Sequence, residues 1–83
     1  MDEGVNVIKL TEVNDGYKQD IFINKSHIVS IKSTFVWVYA NEMEVTGDII
    51  DIGNASTVET TTSAFNVIES PEEIIKLIEG NNA

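Results

Sequence analysis

The pattern of polar and apolar residues is clearest between residues 67 and 80, where it predicts the start of a helix. Ser70 is a favourable N-cap residue, and Pro71 suits the first helical position because its missing N–H group would have no partner there. Glu73 stands three residues after Ser70, which is the spacing of a capping box, in which each side chain accepts the backbone N–H of the other residue. The sequence therefore predicts a C-terminal helix that begins at Pro71.

The apolar residues of this helix fall on one side of it. Ile74, Leu77 and Ile78 share a face with Ile75 at its edge, and Gly80 suits the position that ends a helix. A helix of about three turns is marginal alone in water, so its apolar face must pack against another element. The rest of the chain favours strands, so we expect the helix to cover a sheet.

The first part of the chain alternates apolar and polar residues, which is the spacing of half-buried β-strands. The alternation predicts three strands, over residues 5–13, 17–23 and 28–32. Asn14, Asp15 and Gly16 separate the first two strands and form a strong signal for a hairpin turn. A short turn over residues 24–26 separates the second strand from the third.

Residues 35–39 read Phe-Val-Trp-Val-Tyr, the most apolar segment of the chain, and are predicted to form a further strand. Apolar residues on both faces indicate a strand that is covered on both sides or that uses one face to bind a partner. Phe35, Trp37 and Tyr39 share one of these faces. They are either part of the core or a candidate interface, since aromatic side chains dominate the energetics of interfaces.

The pattern loosens over residues 41–56, which are predicted to be a loop or an irregular edge hairpin. Two more strands are predicted after it, over residues 57–61 and 64–68. The chain of 83 residues suits a single small domain, residues 1–83. The predicted fold is α+β, an antiparallel sheet of five or six strands with one C-terminal helix, and the nearest alternative is a small curled barrel.

The chain is strongly acidic, with 14 Asp and Glu residues against 5 Lys, and its formal net charge is -9. Direct nucleic-acid binding is not expected, because it depends on clustered basic side chains and these lysines are scattered. The acidity serves either solubility or an acidic face that binds a basic partner. In the second case the protein is an acidic decoy or DNA mimic, with five carboxylates on one surface: those of Glu42, Glu44, Asp48, Asp51 and Glu59.

The sequence shows no arrangement of residues that is typical of catalysis or cofactor binding. The chain has no cysteine, and His27 is its only histidine, so these residue types cannot form a zinc site or a nucleophile–base pair. Asp48 and Asp51 lack the ligand spacing of a calcium loop, and the glycines form no phosphate-binding motif. We therefore expect a protein that is not an enzyme and that binds no metal and no cofactor.

The longest apolar run, residues 35–40, is far shorter than the roughly 20 residues of a membrane-spanning helix. The acidic start, Met-Asp-Glu, lacks the positive flank of a signal peptide. Together with the lack of cysteine, these features favour a cytoplasmic protein that does not contact a membrane.

Three segments have a pattern that occurs together in a known family: Val-Ile-Lys-Leu-Thr at residues 7–11, the strands at residues 21–24 and 28–31, and the strand and helix start at residues 67–74. In these segments the chain resembles the small FlbD/SwrD family, and residues 35–56 stand as an insertion. The resemblance implies a cytoplasmic accessory protein without catalysis, associated in the family with motility. Related small proteins also occur outside flagellar operons, including in phage-like contexts, so a phage or bacterial accessory protein is implied as well.

A small sheet with a single covering helix leaves edges or a face unprotected, and self-association is the commonest way to cover them. The sequence therefore predicts a non-enzymatic interaction protein that acts through protein–protein contacts and forms a homo-oligomer. The acidic decoy is the alternative function.

Overall fold

Five antiparallel strands and a C-terminal helix form the part of the chain that the structure, a computed structural model, describes: residues 6–40 and 48–80. The elements are β1 (Val7–Asn14), β2 (Tyr17–Asn24), β3 (Ile28–Tyr39), β4 (Ile49–Thr60), β5 (Ala64–Val67) and α1 (Pro71–Gly80). Their order across the sheet is β2-β1-β5-β4-β3, and every neighbouring pair is antiparallel. The predicted α+β fold is confirmed, with five strands and a sheet that is not closed into a barrel.

The sheet is strongly curled, because its two edge strands are joined by a very short connection. β2 and β3 lie at opposite edges, and the 3-10 turn Lys25–His27 connects them. Neighbouring strands are about 4.8 Å apart, so the edges of a flat five-stranded sheet would be separated by about 19 Å. The chain from Asn24 to Ile28 spans at most about 14 Å even when extended, and less in a 3-10 turn. The connection is possible only because the two edges curl towards each other.

The core lies inside this curl, where strands and helix bury aliphatic side chains. Its buried members come from β1, β2, β4, β5 and α1: Ile8, Leu10, Ile23, Val58, Val67 and Ile74. Ile31 of β3 and Ile78 of α1 are partly buried and pack against them. The helix covers the sheet as predicted, and burial of its apolar side chains is what stabilises so short a helix.

The helix contacts the sheet along a narrower stripe than the sequence predicts. Ile74 is fully buried, whereas Leu77 is 38% exposed and Ile75 is 45% exposed. The prediction that Leu77 faces the sheet is therefore wrong. Ile74 and Ile78 are four residues apart and lie one above the other on the helix surface, so they form a stripe one residue wide. Leu77 lies about 60° around the helix axis from Ile74, at the edge of this stripe, and the sheet covers it only in part.

The predicted capping box is confirmed at the start of α1. The Ser70 hydroxyl accepts the backbone N–H of Glu73 at 3.1 Å, and the Glu73 carboxylate accepts the backbone N–H of Ser70 at 3.0 Å. Pro71 is the first residue of the helix. Two N–H groups that would otherwise lack a partner are therefore satisfied where the chain leaves the sheet.

Two of the strand predictions need correction. Residues 28–32 and 35–39, predicted to be separate strands, belong to one strand, β3. Residues 49–56, predicted to be a loop or an irregular hairpin, belong to β4. Predictions for residue 5 and for residues 41–47 lie outside the described residues.

An extra residue in β4 explains why the sequence pattern does not indicate a strand over residues 49–56. While β3 advances by two residues from Thr34 to Val36, its partner positions on β4 advance by three, so one residue of β4 bulges out near Gly53. The bulge shifts the alternation of faces by one position. The pattern of alternating residues on which strand prediction depends is therefore broken in the middle of the strand.

Candidate interaction surface

The turn between β1 and β2 has the conformation that its sequence predicts. Asp15 and Gly16 both have positive φ angles, 55° and 87°, which is typical of a two-residue hairpin turn with Asp-Gly at its centre. Gly16 is buried although it lies in a turn. A Cβ atom there would lie 2.9 Å from the Trp37 Cη2 atom and 2.9 Å from the Tyr39 Cε2 atom. Glycine is therefore required both by the backbone angle and by the aromatic rings that cover it.

Three aromatic rings cluster at this turn. The Trp37 and Tyr39 rings are 5.3 Å apart at an interplanar angle of 89°, an edge-to-face contact, and the Tyr39 and Tyr17 rings are 5.1 Å apart at 52°. The backbone N–H of Tyr39 also donates to the Gly16 carbonyl at 3.0 Å. The structure thus brings together Trp37 and Tyr39, as predicted, and adds Tyr17 and Gly16, which sequence reasoning did not connect with them.

The aromatic residues predicted to form an interface differ in exposure. Phe35 is 60% exposed and Trp37 is 38% exposed, while Tyr39 is half-buried. Val36 and Val38, which point to the other face of β3, are buried. The face that carries Phe35 and Trp37 is therefore the more accessible face of this strand, and its role as an interface stays a prediction.

A small cleft opens beside the turn. It has a volume of about 210 Å³ and is lined by Val13, Asp15, Phe35, Val36, Trp37 and Asn66. Pockets for drug-sized ligands and cofactors are typically about 300–1,000 Å³. The cleft is therefore of a size for a single side chain rather than for a cofactor.

β3 has an unpaired side. Among the described residues it pairs as a strand with β4 alone, and it is the last strand at its edge of the sheet. Its 12 residues include a single charged side chain, that of Lys32, and no carboxylate. The other edge strand, β2, carries Asp20, which pairs with Lys9 of β1 at 3.8 Å on an exposed surface. The two edges of the sheet therefore differ in charge.

The carboxylates proposed for an acidic decoy do not all lie on one face. Asp51 is opposite Trp37 in the β3–β4 register, and Glu59 is opposite Ser30. Trp37 and Ser30 are seven positions apart on β3, an odd number, so they point to opposite faces of the sheet. Asp51 and Glu59 therefore also point to opposite faces. Glu42 and Glu44 lie outside the described residues.

The other candidate sites from the sequence remain isolated side chains. His27 is exposed at the end of the 3-10 turn. Asp48 is exposed just before β4, and Asp51 is exposed on β4. In residues 6–40 and 48–80, no three His, Cys, Asp or Glu side chains are grouped so that they could hold a metal ion. No helix in these two segments is long and apolar enough to span a membrane.

Comparison of the chain with protein-family models, with curated proteins and with solved structures gave no match. The resemblance to the FlbD/SwrD family therefore stays a prediction from the sequence.

Proposed function

We propose that the protein is a non-enzymatic interaction protein that acts through protein–protein contacts and pairs with a second copy of itself along β3. One observation carries the proposal: β3 is a 12-residue edge strand with an exposed Phe35 and no carboxylate, and no other strand of the described residues pairs with its outer side, where only the terminal Tyr39 N–H is bonded, to the Gly16 carbonyl. An unprotected edge strand is a template for pairing with another chain, and monomeric proteins usually guard such edges with charge or cover.

The distribution of charge favours β3 as the contact between copies. Two molecules with a net charge of -9 repel each other over the distance that salt does not screen, about 8–10 Å at physiological ionic strength. Pairing of two β3 strands brings none of their own carboxylates together, because Lys32 is their only charged residue. The β2 edge is less suitable, since it carries the Asp20 carboxylate.

The residues of β3 also suit a two-fold symmetric pairing. In such a dimer the two strands run antiparallel and the same residues make the contact in both copies. If the axis passes beside Ser33, near the middle of the strand, Phe35 lies opposite Ile31 of the second copy, and both side chains point to the same face of the joined sheet. An aromatic ring opposite a β-branched side chain is a favourable cross-strand pair, and it would cover part of the exposed Phe35 ring.

The acidic decoy is the less favoured function. It needs a surface lined by carboxylates, and Asp51 and Glu59 point to opposite faces of the sheet. A cytoplasmic role as a bacterial or phage accessory protein follows from the FlbD/SwrD resemblance alone. Pairing along β3 does not depend on that resemblance.

The proposal is tested by the solution mass of three proteins, measured by light scattering after size exclusion: the wild type, Phe35→Asp and Phe22→Asp. Phe22 is a matched control because it is 68% exposed and lies on the other edge strand. We expect a dimer for the wild type and for Phe22→Asp, and a monomer for Phe35→Asp, since that change places a carboxylate on the contact strand. A monomeric wild type, or a dimer that only Phe22→Asp disrupts, would contradict the proposal.

A further inference from the structure

We propose that the cleft beside Asp15 binds the side chain of a lysine or arginine from a basic partner protein. This inference goes beyond self-association, because it concerns a different partner and a cleft beside the turn, which shares Phe35 with the proposed contact between copies. It rests on four properties of the cleft: a carboxylate with no hydrogen-bond or ion-pair partner among the described residues, two aromatic rings, a size that suits one side chain, and lining residues that are held by their neighbours.

The carboxylate is that of Asp15. The side chain is exposed at the mouth of the cleft, and it makes no hydrogen bond or ion pair with any described residue. The turn fixes the backbone of Asp15 at a φ angle of 55°, so the hairpin sets the point from which this side chain extends. None of the residues that line the cleft is basic. A cation from another molecule is therefore the ligand that this carboxylate lacks.

The aromatic rings are those of Phe35 and Trp37, which line the same cleft as Asp15. A lysine or arginine head within about 6 Å of a ring centre is attracted to the ring face, and tryptophan is the best aromatic partner. Val13 also lines the cleft and offers apolar surface against which the methylene stem of a long basic side chain can pack. The lining of the cleft thus offers a carboxylate and aromatic rings to the charged head of a lysine or arginine side chain, and apolar surface to its methylene stem.

Two residues that line the cleft, Trp37 and Asn66, are held by contacts with their neighbours. Trp37 makes an edge-to-face contact with Tyr39, and its ring lies directly over Gly16, where even a methyl group would be too close. Asn66 is held as well, because its side-chain oxygen accepts a hydrogen bond from the Thr57 hydroxyl at 2.8 Å. A site whose walls are already fixed loses little side-chain entropy when a ligand binds.

The size and the charge of the protein point to a protein partner rather than a small metabolite. At about 210 Å³ the cleft is below the usual range for cofactors but suits one side chain. A net charge of -9 attracts basic proteins over a distance and steers them towards the surface. The negative charge of the chain would then attract a basic partner to one site, and this does not require the broad acidic face of a decoy.

The test is a titration with N-acetyl-arginine amide and N-acetyl-lysine amide, with the neutral isostere N-acetyl-citrulline amide as the control ligand. Trp37 is the only tryptophan of the chain, so its fluorescence reports on the cleft directly. We expect saturable changes with the two basic amides, with a Kd in the range of about 1–10 mM, and none with citrulline. An equal response to citrulline would overturn the proposal.

Variants show whether the response is local. Asp15→Asn removes the charge but keeps a residue that tolerates positive φ, so the turn is retained. Asp20→Asn makes the same change in net charge on β2. We expect Asp15→Asn to weaken binding by about threefold or more and Asp20→Asn to leave it within about 1.5-fold, as for exposed charge pairs and distant charges. If both variants weaken binding equally, the effect comes from the net charge of the protein, and the proposal of a binding site at Asp15 is wrong.

The titration also separates this inference from the proposed dimer. Light scattering of the same samples gives the solution mass with and without the basic amide. Saturable binding to a monomeric wild type would support the cleft while the dimer fails, and a dimer without saturable binding would support β3 pairing while the cleft fails.

Discussion

The Gly16 carbonyl accepts a hydrogen bond from the Tyr39 backbone N–H at 3.0 Å, which joins the tip of the β1–β2 hairpin to the end of β3. The two residues belong to opposite sides of the curled sheet, since β2 and β3 are its edge strands. The contact therefore holds the curl at the point where β3 ends, and it places the exposed aromatic residues of β3 beside the charged turn.

Gly16→Ala is expected to destabilise the fold by about 1–3 kcal/mol, because a methyl group at Gly16 meets the Trp37 and Tyr39 rings and because alanine disfavours positive φ. Urea unfolding followed by far-ultraviolet circular dichroism measures the change. Gly53→Ala is the control, since a Cβ atom at Gly53 meets nothing within 4 Å. A similar loss for both variants would show that the cost comes from replacing any glycine of the chain and not from the positive φ angle and the Trp37 contact of Gly16.

The capping box gives a second prediction. Ser70→Ala is expected to lower the free energy of unfolding by about 1 kcal/mol, because the Glu73 N–H loses its acceptor at the start of α1. Ser70→Thr keeps an acceptor hydroxyl and should recover most of the loss. Equal stabilities of the alanine and threonine variants, measured by the same urea unfolding, would argue against a role for the cap.

Ser56 provides a third prediction, at the junction of β4 with the segment before the helix. It is fully buried, and its hydroxyl donates to the Glu69 carbonyl at 2.7 Å. Ser56→Ala is expected to cost about 1–3 kcal/mol, since the Glu69 carbonyl loses the hydrogen bond of a fully buried hydroxyl. Ser33 is directly opposite Ser56 on β3 and is exposed, so Ser33→Ala is a matched control that should change stability by less than about 0.5 kcal/mol. A larger effect at Ser33 than at Ser56 would contradict this account of the junction.

The salt dependence of the dimer gives a fourth prediction. Copies with a net charge of -9 repel each other, whereas the β3 contact has an exposed phenylalanine and no carboxylate. Raising the salt concentration from about 50 mM to about 500 mM should therefore tighten the dimer, because screening removes the repulsion and leaves the apolar contact. Sedimentation equilibrium gives the dissociation constant at each concentration. Dissociation at high salt would mean that the contact is made by ion pairs elsewhere on the surface.

Much of the fold could be predicted because it depends on patterns of residues that are close together in the sequence. The Ser70 cap and the Asp15-Gly16 turn each act within a few residues, and both have the predicted geometry. The α+β class follows from the alternation upstream of a capped amphipathic helix. Local patterns of this kind do not depend on how the rest of the chain packs.

The predictions from sequence were wrong where contacts between distant parts of the chain determine the structure. The bulge near Gly53 breaks the alternation of β4, so the strand reads as a loop. Leu77 has the spacing of a core residue, but it lies at the edge of the stripe that packs on the sheet, and the sheet covers it only in part. The cleft depends on Asp15 and Trp37 coming together from distant parts of the chain, and no local pattern reports such a contact.

Amide hydrogen exchange of β3, measured at low and at high protein concentration, tests the central claim most directly. Pairing along β3 predicts that amides on the unpaired side of this strand become protected as the concentration rises, in an alternating pattern, while amides of the β2 edge do not change. Exchange from β3 that is independent of concentration, or protection that appears on β2 instead, would contradict the claim that this strand is the contact between copies.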